Sequence, residues 1–170
     1  MAFIQTTTKV ISFADYTDVT EQDSRLFAAN EGLTQTVVED LLVKSTARIL
    51  TQIRATDWWA SYFQNMDKGV TTIRSRGDIP SPDGIKIKAR QAEFTELCVY
   101  HSLFTYILPR FADFSAEDND ERAKIGFYEQ RYDKLFMELI TAGDWYDFDG
   151  DKTVESTEMD PGRIRLRRVR

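Results

Sequence analysis

Three stretches of this chain carry apolar residues at steps of three and four, and that period commits them to amphipathic helices. Val37, Val38, Leu41, Leu42, Ser45, Ile49, Leu50 and Ile53 mark a helix over about 34–55, opened by the capping box Thr36-Val37-Val38-Glu39. Phe94, Leu97, Cys98, His101, Phe104, Thr105 and Leu108 share one face of a second helix over about 88–112, which Pro109 kinks or ends. Ile125, Tyr128, Tyr132, Leu135, Phe136, Leu139 and Ile140 line a third, from the box Ser115-Ala116-Glu117-Asp118 to Gly143.

Shorter elements fill the intervals. Residues 1–19, rich in Thr and β-branched side chains, read as an extended capping arm. Thr20-Glu21-Gln22-Asp23 signals a short helix to about Asn30, stopped by Gly32. Trp59, Tyr62 and Phe63 continue a helical pattern to about Met66, with Trp58-Trp59 as a packing corner. Residues 67–87 hold three glycines and two prolines and form a long central loop, with room for a hairpin turning on Pro82-Asp83-Gly84. The expected fold is therefore all-α: a bundle of three long helices plus short ones over 20–143, with an irregular loop at 67–87. An acidic loop (144–162) and an extended C-terminal tail (163–170) follow.

At 170 residues the chain has the length of one domain. It contains one cysteine, Cys98, and one histidine, His101. A disulfide framework, a Cys-cluster zinc site and a two-histidine metal site are thereby excluded within the chain. Both residues lie inside the apolar stripe of the second long helix, and no acid is placed in sequence to orient the imidazole. They read as core residues, and the expectation is that the chain is not an enzyme. No run approaches the roughly 18 apolar residues of a membrane span, so no membrane partner is expected. The first residues do not read as a secretory signal.

Charge is unevenly placed. Net charge is −6, and the last eight residues, Arg163-Ile164-Arg165-Leu166-Arg167-Arg168-Val169-Arg170, hold five arginines and no acid, so residues 1–162 carry −11. An acidic body argues against a nucleic-acid grip over the surface. In the tail, Ile164 and Leu166 alternate with arginines at a period of two, the pattern of a strand that adds to another chain's sheet edge. The alternative is a frayed basic terminus.

The acidic loop Asp147-Phe-Asp-Gly-Asp-Lys-Thr-Val-Glu-Ser-Thr-Glu158 sets Asp147, Asp149 and Asp151 at positions one, three and five of twelve. Thr153, Glu155 and Glu158 take positions seven, nine and twelve, and the whole resembles an EF-hand calcium loop. Calcium would neutralise the mutual repulsion of the three aspartates. Two departures stand against it: position six is Lys152 where glycine is usual, and Pro161-Gly162 predicts that no helix follows. The alternative is a metal-free acidic turn.

A helical domain ending in a long helix, then Gly143-Asp-Trp-Tyr-Asp-Phe-Asp-Gly-Asp151, then the arginine-rich tail, resembles the head–tail adaptor (connector) proteins of tailed bacteriophages. Residues 117–170 carry most of the likeness. The resemblance implies an α-helical subunit of a ring, usually of twelve, between capsid and tail in the virion neck, made in the host cytoplasm. It implies a C-terminal tail, here Arg163–Arg170, that docks on the portal protein. It also implies an opposite face that meets a stopper or tail-completion protein, and double-stranded DNA passing through the lumen without specific binding. The competing expectation is a calcium-binding helical interaction module built on the half EF-hand-like loop.

Overall fold

A computed structural model describes residues 3–29, 32–65, 76–110 and 120–159. The chain is mostly helical. Two short strands, β1 (Ile4–Gln5) and β2 (Val10–Ser12), pair antiparallel as a two-stranded hairpin. Seven α-helices are described: α1 (Tyr16–Gln22), α2 (Ser24–Ala29), α3 (Gln35–Ala55), α4 (Asp57–Asn65), α5 (Gln91–Ser102), α6 (Asp120–Ala142) and α7 (Ser156–Met159). No helix among the described residues is long and apolar enough to cross a membrane.

The three apolar stripes meet in the core, with α5 packed between α3 and α6. Val38, Leu41, Leu42, Ile49 and Ile53 of α3 are buried with Phe94, Leu97 and Cys98 of α5 and Tyr128, Tyr132 and Leu139 of α6. Polar groups pin the register of α3 on α5. Ser45 Oγ lies 3.1 Å from His101 Nδ1, and Thr46 Oγ1 lies 3.4 Å from Cys98 Sγ. Buried groups with matched partners fix one arrangement where apolar packing alone would tolerate several.

The second long helix does not run straight to residue 112. After Ser102 it widens into a π turn (Leu103–Ile107) and closes as a 3-10 turn (Leu108–Arg110). Pro109 has no N–H for the carbonyl four residues back, and its ring would press on it. The wider turn also rotates the stripe: Leu103 and Ile107 are buried, whereas Thr105, expected on the inner face, is exposed.

Helix starts differ from the sequence reading at three places. α1 opens at Asp15, whose carboxylate accepts from Asp18 N (3.0 Å) while Asp18 accepts from Asp15 N (2.8 Å). Thr20 therefore sits inside α1 and does not start a helix, and its hydroxyl donates to Thr17 O. Asp23 interrupts before α2, accepting from Leu26 N. Thr34, not Thr36, is the N-cap of α3, and Glu39 accepts from Gln35 Nε2 instead of closing a box. The box at Ser115–Asp118 lies outside the described residues.

Of the expected arm over 1–19, the described residues 3–19 hold more structure than an extended segment. Phe3, Val10 and Phe13 are buried, and the Phe13 ring lies 4.7 Å from Phe3 and 5.5 Å from Phe94. Phe13 N donates to Thr46 Oγ1, and Thr95 Oγ1 donates to Phe13 O, sealing the segment onto α3 and α5. The part of the central loop described, 76–87, contains no hairpin. It holds two 3-10 turns, Arg76–Asp78 and Gly84–Lys86, and Asp83 caps the second through Ile85 N. Gly84 lies so close to the hairpin that a Cβ there would stand 2.8 Å from Val10 Cβ.

Candidate functional site

The acidic loop is fastened to the core from both ends. Gly143 ends α6 at φ +62°, a conformation that favours glycine, and a Cβ there would stand 2.3 Å from Met159 O. Trp145 is fully buried with Nε1 donating to Leu139 O. Tyr146 forms an isolated antiparallel bridge with Ile87, and its hydroxyl accepts from Asp83 N at 3.0 Å. Asp147 N donates to Lys86 O, and Lys86 Nζ donates to Phe148 O at 2.8 Å. Phe148 stacks on Tyr62 of α4 at 3.6 Å between ring centres. The central loop and α4 thus form the cradle of the acidic loop.

Inside the loop, two buried carboxylates shape the backbone. Asp147 accepts from Gly150 N (2.6 Å) and from Lys152 N (2.9 Å). Glu158 accepts from Phe148 N (2.7 Å), Asp149 N (3.1 Å) and Glu155 N (3.0 Å). Asp149 and Asp151 are exposed: Asp149 Oδ1 accepts from Asp151 N, and Asp151 Oδ1 accepts from Thr153 N and Thr153 Oγ1. The Thr153 hydroxyl and amide hold the Asp151 carboxyl below its usual range. Burial, followed by the charges of Glu158, Asp149 and Asp147, pushes the Tyr62 phenol up.

Of the six residues read as calcium ligands, the structure draws three together. Asp147, Asp149 and Asp151 each place an oxygen within 4.8 Å of the others. Glu158 turns both oxygens to backbone amides, Thr153 engages Asp151, and Glu155 is exposed. The donors are all hard oxygens, a set that fits calcium or magnesium and not zinc. Asp149 and Asp151 would meet the ion from the solvent side and Asp147 from the buried side.

One of the two sequence departures from a calcium loop takes a different form in three dimensions. Lys152, at position six, adopts φ +78°, the left-handed conformation for which glycine is usual. The bond from its amide to Asp147 holds it there. The loop's last positions form a single helical turn, α7, which contains Glu158; the expectation that no helix follows falls on residues from 160 on, outside the described residues.

Sequence reasoning missed Lys86, and it read Trp58 as a packing corner without its link to the acidic loop. Trp58 Nε1 donates to Met159 O at 3.4 Å and its ring lies 4.8 Å from Trp145. Lys86 and Phe148 are 62 residues apart, and no local period signals such a contact. Cys98 and His101 face α3 and are both buried. Burial lifts the Cys98 thiol to about 12, and burial with the Arg48 charge lowers His101 to about 4. The tail residues Arg163, Ile164, Arg165, Leu166, Arg167, Arg168, Val169 and Arg170 lie outside the described residues. Set against protein-family models, curated proteins and solved structures, the chain matches none.

Proposed function

We propose that this chain is a structural adaptor of a virion neck, an all-α subunit of a head–tail ring whose basic tail docks on the portal protein. The observation that carries the reading is the anchoring of the segment that leads into the tail. Glu158 is tied to three amides, and Met159 is held by Trp58. An arginine-rich segment with the period-two alternation of a strand, following that anchor in sequence, would offer a neighbour backbone pairing and charge. The body's charge of −11 suits a DNA channel that must release its cargo. Ring closure would multiply modest contacts, with a stopper or tail-completion protein on the opposite face. Co-sedimentation with a portal tests the reading. Full-length chain should pellet with the portal, and chain lacking Arg163–Arg170 should stay in the supernatant. Equal pelleting of both would refute it.

The convergence of Asp147, Asp149 and Asp151 favours a second reading, a calcium-binding helical interaction module. It requires a calcium-dependent rise in melting temperature that Asp149→Ala abolishes. A flat calorimetric titration at millimolar calcium would remove it.

A further inference from the structure

The sequence holds two Asp–Gly pairs, Asp83–Gly84 and Asp149–Gly150, and no Asn–Gly. In such a pair the glycine amide nitrogen can attack the preceding side-chain carboxyl, because no side chain shields it and glycine tolerates the turn that the resulting ring demands. The fold treats the two pairs differently. Gly84 is buried, and a Cβ there would stand 2.8 Å from Val10 Cβ and 3.4 Å from Phe13 Cε1. Asp83 N donates to the Tyr146 hydroxyl, Asp83 O accepts from Lys86 N, and Asp83 Oδ1 accepts from Ile85 N, so this peptide is held on both sides. Asp149 and Gly150 are both exposed. Gly150 sits at φ +88°, and the nearest described atom to a Cβ there would be Lys86 Nζ, at 3.8 Å. Asp149 Oδ1 accepts from Asp151 N at 3.2 Å, which bends the carboxyl forward along the chain, past the Gly150 amide. That amide donates to Asp147 Oδ1 at 2.6 Å, a carboxylate able to take its proton.

We infer that Asp149–Gly150 is a site of spontaneous isoaspartate formation, and that the modification loosens the acidic loop. The Gly150 nitrogen attacks Cγ of Asp149 in its protonated form. An N–Cγ bond forms, the Cγ–OH bond breaks, and the amide proton, passed through Asp147 Oδ1, leaves with the hydroxyl as water. Water then adds to the backbone carbonyl carbon of residue 149 and breaks its bond to the Gly150 nitrogen. The chain now runs through the former side chain, and the former backbone carbonyl is a free carboxylate. No atom is gained or lost overall, and water is the only co-reactant. The new link is longer by one methylene. It falls between two sets of bonds that fit the ordinary spacing: Glu158 holds the amides of Phe148 and Asp149, and Asp147 holds those of Gly150 and Lys152. A lengthened residue 149 cannot keep both sets. The inference goes beyond the adaptor and calcium readings and rests on neither.

The test ages the full-length chain for several weeks at neutral pH and body temperature, with EDTA to keep cations off the aspartates. Peptide mapping, with isoaspartyl methyltransferase as the labelling reagent, locates and counts isoaspartate. It should build up at 149 to several times its level at 83. In urea, where the fold no longer distinguishes the two pairs, both should rise to similar levels. The aged folded chain should melt lower than the fresh one. Asp149→Glu, whose longer side chain closes the ring far more slowly, should keep its starting melting temperature. Asp149→Ser, which has no carbonyl to attack, serves as a second variant with the same expectation. No more isoaspartate at 149 than at 83 in the folded chain would overturn the site. The same excess at 149 in urea would overturn the part given to the fold. Equal loss of melting temperature on ageing by the parent and both variants would overturn the loosening.

Discussion

Replacing Glu158 by alanine would remove the one carboxylate that satisfies three backbone amides of the acidic loop. A hydrogen bond to a charged acceptor contributes about 1.5–3 kcal/mol net, so the gross loss is about 4.5–9 kcal/mol. Two effects reduce it. Glu158 is 3% exposed, so its removal also relieves the cost of a buried charge, several kcal/mol. The amides of Asp149 and Glu155, unlike that of Phe148, are only half-buried and would regain water. The expected net destabilisation is about 3 kcal/mol, a fall in melting temperature of about 6–12 °C for a chain of this size. Glu158→Gln keeps the shape and one acceptor oxygen but turns a donor toward one amide, and should lose about half as much. Thermal melting followed by circular dichroism measures both, and fluorescence of Trp58 and Trp145 reports whether the loop lets go first. An alanine variant that melts within about 1 °C of the parent would refute the reasoning.

Other substitutions probe the same anchoring. Lys152→Gly should raise stability by about 0.5–1 kcal/mol in urea titration, because φ +78° strains any side chain but glycine. Gly143→Ala should lower it by about 2–4 kcal/mol, since its Cβ would stand 2.3 Å from Met159 O, and the melt would show the loss. His101, lowered from 6.5 to about 4 by burial, binds its proton more readily in the unfolded chain. Its contribution to stability is complete above about pH 6.5 and is lost as pH falls toward 4, and His101→Asn should flatten that part of the stability–pH curve.

The helices were legible because their stripes repeat over many turns: Val38 to Ile53 cannot be buried together except on one helix face. Helix starts were less so. Thr20 and Thr36 carry the same local pattern as a working cap, yet Asp15, beside the buried Phe13 and Val19, caps α1, and Thr34 stands at the start of α3. Pro109 announced a break, but not the π turn that exposes Thr105. Within the acidic loop, the aspartates at alternate positions were visible, and their convergence follows from that spacing. The left-handed Lys152 was not, because it depends on hydrogen bonding to a buried Asp147. Nor was the cradle of Lys86 and Tyr62, which lies far away in sequence.

Negative-stain imaging of portal particles incubated with the chain tests the adaptor account most directly. A ring of added density beneath the portal, present with the full-length chain and missing when residues 163–170 are deleted, is the predicted result. Bare portals with folded full-length chain in excess, or identical density with and without those residues, would contradict it.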